Sequence, residues 1–157
     1  MEAQTTERRI GEPEVLVFGQ GPVRDRFAAG VRRRDRSVLA PGAGGPTRPI
    51  QAALVSFESI DGRVCDLALS MFTVVEDIER SCSAFPGPSP RVVVVTPTAG
   101  RAKSARHLTR TLALYLGAPE RVELNIVEAP ASPDSATIQE TADLALALLL
   151  GAVAASG

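Results

Sequence analysis

The sequence predicts an α/β protein: a three-layer, doubly wound parallel sheet of about five strands. Three observations carry this reading. Arg91–Pro130 reads RVVVVTPTAGRAKSARHLTRTLALYLGAPERVELNIVEAP. A run of four valines, an amphipathic helix and a second apolar run make a strand–helix–strand crossover, the unit of a parallel sheet. Short apolar runs alternate with helical periodicities along the chain in the order β-α-β-β-α-β-α-β-α, which implies a sheet covered on both faces. Finally, 157 residues with 45% hydrophobic content are enough for one domain with a real core.

The elements follow in order. Residues 1–13 are polar and charged and read as a flexible N-terminal arm, leaving 14–157 as a single α/β domain. Val15–Phe18 is a short strand, and Gly19-Gln20-Gly21-Pro22 turns the chain. Pro22 suits the first turn of a helix, where its missing N–H is not needed. That helix runs to about Arg34 with Val23, Phe27, Ala28 and Val31 on one face. Arg32–Arg34 form a solvated end whose cations complement the helix dipole. Ser37–Ala40 is a second short strand. Pro41–Pro49 is a loop that lacks the Lys-Ser/Thr ending of a phosphate-binding loop. Ala52–Phe57 is the third strand. Asp61–Cys82 is a long helix with Val64, Leu67, Ala68, Met71, Val74, Val75 and Ile78 at helical spacing, and Asp66, Glu76, Asp77 and Glu79 on a solvated face. Pro86–Pro90 breaks it. Val92–Thr96, a helix over Ala99–Gly117 and Val122–Val127 complete the crossover. Ala136–Leu150 is the last helix, with Asp134 or Ser135 as its N-cap. Five strands in the order 2-1-3-4-5 make a truncated Rossmann or flavodoxin-like sheet.

Composition excludes several function classes. A net charge of -1 gives no reason to expect nucleic acid or an anionic membrane. Lys103 is the single lysine among seventeen basic residues, a bias that reads as coding composition and not as a binding adaptation. Cys65, Cys82 and the lone His107 form no metal-ligand pattern, since structural zinc needs four N or S ligands. The N-terminus has no secretory-leader character, and Leu144–Ala155 is too short to span a bilayer. The expectation is a cytoplasmic, reduced protein.

The helix segment His107-Leu-Thr-Arg-Thr-Leu-Ala-Leu114 resembles the Gly-Leu-Thr-Arg-x-Leu-Ala of the short-chain dehydrogenases/reductases. In that family this helix carries the catalytic Tyr-x-x-x-Lys. Here those positions fall on Thr98 and Ala102. Lys103 is one residue too late, rotated by about 100°, and Tyr115 is too far along the helix to be its partner. The first strand of the family leads into Thr-Gly-x-x-x-Gly-x-Gly, whose glycines let backbone approach a pyrophosphate at a helix N-terminus. Here the turn keeps a vestigial Gly19 and Gly21, while Val23 and Asp25 stand at the later glycine positions. Phe57-Glu58-Ser59-Ile60 replaces the Asn-Asn-Ala-Gly of the third retained strand, and Thr96-Pro97-Thr98 leaves no room for the loop that bears the catalytic Ser. The pattern is most similar to the noncatalytic, flavodoxin-like N-terminal half of the long 3-oxoacyl-(acyl-carrier-protein) reductases. VLVFGQG at Val15–Gly21, ALVSFESI at Ala53–Ile60, Met71-Phe72-Thr73, RVVVV at Arg91–Val95 and LTRTLALYLG at Leu108–Gly117 carry the likeness.

The resemblance implies a noncatalytic subunit that pairs with a catalytic ketoreductase in fatty-acid or polyketide-type acyl reduction. It implies no catalytic residues, and no cofactor except NADPH held by the partner. Active relatives pair through a four-helix bundle built from the two helices read here as Asp61–Cys82 and Ala99–Gly117. The interface candidates are therefore Leu67, Met71, Val74, Val75, Ile78, His107, Thr111, Leu112 and Tyr115. The partner is a catalytic short-chain reductase on a separate polypeptide, or a second copy joined through the same helices. Two alternatives stand beside this reading: a free-standing flavodoxin-like ligand-binding or regulatory module, and an NADP-dependent reductase with an unorthodox site.

Overall fold

Each apolar run becomes a parallel strand, and each amphipathic run a helix laid against them. The computed structural model describes residues 14–42, 48–59, 64–98, 102–130 and 134–151. The order is β1 (Glu14–Gly19), α1 (Pro22–Arg33), β2 (Val38–Leu39), β3 (Ile50–Ser56), α2 (Val64–Ala84), β4 (Arg91–Thr96), α3 (Ala102–Leu116), β5 (Glu123–Glu128) and α4 (Ser135–Leu150). All neighbouring strands pair in parallel, in the order β2-β1-β3-β4-β5. This is the open, doubly wound sheet expected from the sequence. The arm at residues 1–13 and the start of the long helix at 61–63 lie outside the described residues.

Small shifts in the boundaries have local causes. β3 begins two residues earlier than its apolar run because Ile50 pairs with Glu14 of β1, and the Ile50 N–H also donates to Ser81 Oγ of α2 at 2.8 Å. α2 runs on to Ala84, past the polar Ser81-Cys82-Ser83, before the proline-rich segment stops it.

Strand alternation sorts the core into two halves. Leu16, Ala53, Val55, Val92 and Val94 point to one face and pack against Met71, Val74 and Ile78 of α2 and Leu108 and Leu112 of α3. Val15, Val17, Leu54, Val93 and Val95 point to the other and meet Phe27 and Val31 of α1 and Ile138, Ala142 and Leu146 of α4. Each run is apolar throughout because both faces are covered. α1 and α4 lie close enough that a Cβ at Gly30 would sit 2.6 Å from Leu146 Cδ1. Arg26 ties the same two helices by donating to Gln139 Oε1 and Ser135 Oγ, each at 2.9 Å.

One expectation about the long helix is corrected. Asp77 is not on a solvated face: it is 2% exposed, and its Oδ2 accepts the Gly42 N–H at 2.8 Å. The segment after β2 crosses this side of α2 and puts a backbone donor there, so the buried carboxylate satisfies a group that would otherwise be orphaned. Arg80 adds a cation 3.8 Å away.

α4 starts at Asp134, whose Oδ1 accepts the Thr137 N–H at 2.9 Å. The Thr137 amide, and then its hydroxyl, hold the Asp134 carboxyl below the usual carboxylate range. A carboxylate depressed in the folded state stabilises the fold above its unfolded pKa, and that contribution fades as pH falls through the folded value. Asp134→Ala is therefore expected to lower the melting temperature at neutral pH, with the difference from the parent closing in acid. Thermal melts across that range check it, and identical neutral-pH melts would remove the cap from the account.

Candidate functional site

In a sheet of this order the crevice opens at the carboxyl ends of β1 and β3, where the direction of strand addition reverses. Gly19–Pro22 follows β1 there, and Ser56–Ser59 follows β3. α1 begins at the same point and presents its N-terminal amides.

These amides can be counted. The N-cap is Gly21, which has no side chain to cap the helix, and Pro22 at the first helical position has no N–H. The Asp25 N–H already donates to the Gly21 carbonyl at 3.0 Å. The N–H groups of Val23 and Arg24 remain. Both donate to one carboxylate: Val23 to Glu58 Oε1 at 2.9 Å and Arg24 to Glu58 Oε2 at 3.0 Å. The Ser56 hydroxyl donates to the same Oε2 at 2.6 Å. Glu58 thus occupies the place where a helix N-terminus would hold an external anion.

Glu58 accounts for the vestigial glycine turn without a nucleotide. Gly21 has φ 142°, and a Cβ there would lie 2.5 Å from Glu58 Cδ, so a side chain at 21 would displace the carboxylate. A Cβ at Gly19 would lie 2.2 Å from the Ser56 carbonyl oxygen, so that glycine serves the close approach of β1 to β3.

The reason the sequence suggested for a blocked cofactor site is corrected. Val23 is fully buried in the core beneath α1, because its position in the first turn points at the sheet. Asp25 points outward: its side chain is 71% exposed and pairs with Arg24 at 3.2 Å. Neither fills the crevice. Sequence reasoning passed over Glu58, yet a signal was present. A Gly-Pro helix start without Ser, Thr, Asp or Asn leaves two donors open, and a carboxylate stands at the exit of the neighbouring strand.

The remaining candidates are dispersed. Thr98 is exposed after β4, and Ala102 is partly covered at the start of α3. Lys103, His107 and Tyr115 are exposed on α3. Of the interface candidates, Met71, Val74, Val75, Ile78 and Leu112 lie in the protein's own core at 5% exposure or less, Leu67 and Thr111 are half-buried, and His107 and Tyr115 face outward. The apolar spacing of the long helix followed its sheet-facing side, since that side carries the regular period. Among the described residues no group of three or more His, Cys, Asp or Glu is placed to hold a metal. Nor is any helix among them long and apolar enough to cross a membrane.

No protein-family model matches the chain, and no curated protein matches it. The class therefore rests on architecture: a doubly wound α/β protein with a Rossmann or flavodoxin-like sheet.

Two outcomes follow from Glu58. Glu58→Ala removes the acceptor of two amides and a hydroxyl, and a hydrogen bond to a charged group contributes about 1.5–3 kcal/mol. A loss near 2 kcal/mol is expected in denaturant titration, with Glu58→Gln intermediate. An unchanged unfolding midpoint for Glu58→Ala would show that the carboxylate does not hold the helix. The parent chain is also expected to give no heat with micromolar NADPH or NADH in calorimetry, since its own carboxylate sits at the pyrophosphate position.

Proposed function

We propose that this protein is a noncatalytic, short-chain-reductase-like subunit. It pairs with a catalytic ketoreductase of fatty-acid or polyketide-type acyl reduction, through the outer surface of α2 and α3. The observation that carries this reading is a set of large apolar side chains left in solvent on those two adjoining helices. Leu69 is 69% exposed, Leu114 77% and Tyr115 52%. Phe72 meets Tyr115 edge-on, with ring centroids 4.9 Å apart, and joins the two helices into one surface.

Helical spacing gathers the set. Leu69, Phe72 and Thr73 share a side of α2, and His107, Thr111 and Leu114 share a side of α3 with Tyr115 at its edge. Single exposed apolar residues are ordinary on a protein surface. A cluster of four bridging two helices is the kind of patch that meets a partner. The patch keeps His107, Thr111 and Tyr115 of the residues first expected and replaces Met71, Val74, Val75, Ile78 and Leu112 by Leu69, Phe72 and Leu114, because the regular apolar period belongs to the core.

Two further features favour a supporting role over chemistry. The Tyr and Lys positions of the resembled family hold Thr98 and Ala102, so no proton donor stands where the family places one. Glu58 occupies the anion position of the crevice, which disfavours both a nucleotide-dependent reductase and a crevice-binding ligand module. A subunit of this kind would stabilise its partner's dimerising surface, and the partner would hold the NADPH.

Co-expression with a full-length short-chain reductase, followed by native mass measurement, tests the pairing. Leu69→Asp combined with Tyr115→Asp is expected to keep the circular dichroism of the parent and lose the complex. Met71→Asp and Leu112→Asp are expected to unfold the protein, since a lone buried charge costs several kcal/mol against a total stability of about 5–15 kcal/mol. A complex that survives the surface double variant would remove the proposed interface. A parent chain that remains monomeric beside the reductase would remove the reading.

A further inference from the structure

The opposite end of the sheet is built differently. At the amino ends of β3 and β4 lies an open cavity of about 570 Å³, within the usual size range of small-molecule sites. Ile50, Ile78, Leu116 and Val122 form its apolar base, and Phe85 with the proline-rich stretch after α2 forms a wall. Among the polar groups at its edge are Glu79, Ser81, Cys82 and Arg121.

Two of these groups are donors with capacity to spare. Ser81 is 2% exposed; its Oγ accepts the Ile50 N–H at 2.8 Å, and among the described residues its own proton goes to no acceptor. Arg121 is an exposed guanidinium with no ion pair among the described residues. Its stem is nonetheless positioned. The Arg121 N–H donates to the Gly117 carbonyl at 2.8 Å, and a Cβ at Gly117 would fall 2.8 Å from Arg121 Cδ. The missing side chain at 117 thus lets the arginine lie across the turn beside the cavity. A buried hydroxyl donor and a cation over an apolar base define a ligand chemistry: an apolar body and one negative end. Glu79, on the same lining, sets a limit by repelling a second negative charge.

We infer that this cavity binds a small apolar monoanion, an aliphatic chain of medium length ending in a carboxylate. The chain lies against Phe85, Pro86 and Pro88, over a floor closed by the buried Ile50, Ile78 and Leu116, and the carboxylate meets Arg121. This site is separate from the surface assigned to pairing and stands or falls independently of it.

Cys82 is an exposed free thiol on the cavity lining, so its alkylation reports occupancy. The probe is octanoate below its micelle concentration, compared with octan-1-ol and octylammonium. The readout is the rate of iodoacetamide labelling of the Cys82 peptide by mass spectrometry in the intact chain. Octanoate is expected to slow labelling saturably. Octan-1-ol should bind roughly tenfold more weakly, the size of one charge-assisted hydrogen bond, and octylammonium should not protect. Arg121→Gln should bring octanoate down to the level of octan-1-ol, while Glu79→Gln should tighten it. Absence of protection by octanoate, equal protection by all three compounds, or unchanged protection in Arg121→Gln would each overturn the proposal. The three-compound comparison needs no variant and decides the matter even if a substitution perturbs folding.

Discussion

A helix that opens with Gly-Pro has two amide donors in its first turn and no side chain of its own to satisfy them. In this protein those donors belong to Val23 and Arg24, and the carboxylate that takes both comes from Glu58 at the exit of the next strand in the sheet. The contact is an N-cap supplied across the fold instead of along the chain. It joins β1, α1 and β3 at the point where a doubly wound sheet places its ligand crevice. The arrangement therefore stabilises the helix start and removes the crevice's attraction for an anion in the same act. Ser56 strengthens it by donating to the carboxylate, and the lack of a side chain at Gly21 leaves room for it. A turn that looks like a decayed nucleotide motif thus has a present structural use.

The two sides of the sheet are finished differently. α1 and α4 pack against one another through Gly30 and Leu146, and Arg26 links them at the surface. On that layer Leu144 of α4 is in solvent at 50% exposure, with no second large exposed apolar residue beside it among the described residues of the two helices. α2 and α3 cover the other face with Met71, Val74, Ile78, Leu108 and Leu112, yet leave Leu69, Leu114 and Tyr115 facing water. Leaving such groups in water forgoes on the order of 1.5–3 kcal/mol each relative to full burial. The difference between the layers is one of clustering, since Leu69, Phe72, Leu114 and Tyr115 gather on two joined helices, and it points to a use for that surface. In the reading proposed, that use is association.

Three polar anchors between elements share one form. Asp77 accepts the Gly42 N–H, Ser81 accepts the Ile50 N–H, and Glu58 accepts two amides of α1. In each case a side chain on one element satisfies a backbone donor at the edge of another, where neither ladder nor helix bonds can reach. These bonds tie the starts of strands and loops to the elements beside them, as Ser81 does for Ile50 at the first residue of β3.

Much of the architecture was legible in the amino-acid order. Strands buried on both faces must be apolar at every position, and helices on a sheet must repeat near every third or fourth residue. Val92–Val95 and the Met71, Val74, Val75, Ile78 series obey those rules and place themselves. The cap at Asp134 was readable for the same reason, since donor and acceptor lie three residues apart. What only the tertiary structure decided involves residues distant in sequence. Glu58 meets Val23 across thirty-five positions. Asp77 is buried by a segment that passes over it from thirty-five positions away. The outward face of the paired helices falls on Leu69 and Leu114 beside the expected Tyr115, and not on Met71 and Leu112. Local sequence carries the period of an element and the chemistry of its ends. It does not carry which distant backbone donor will stand opposite a given side chain, because that depends on how the elements are stacked.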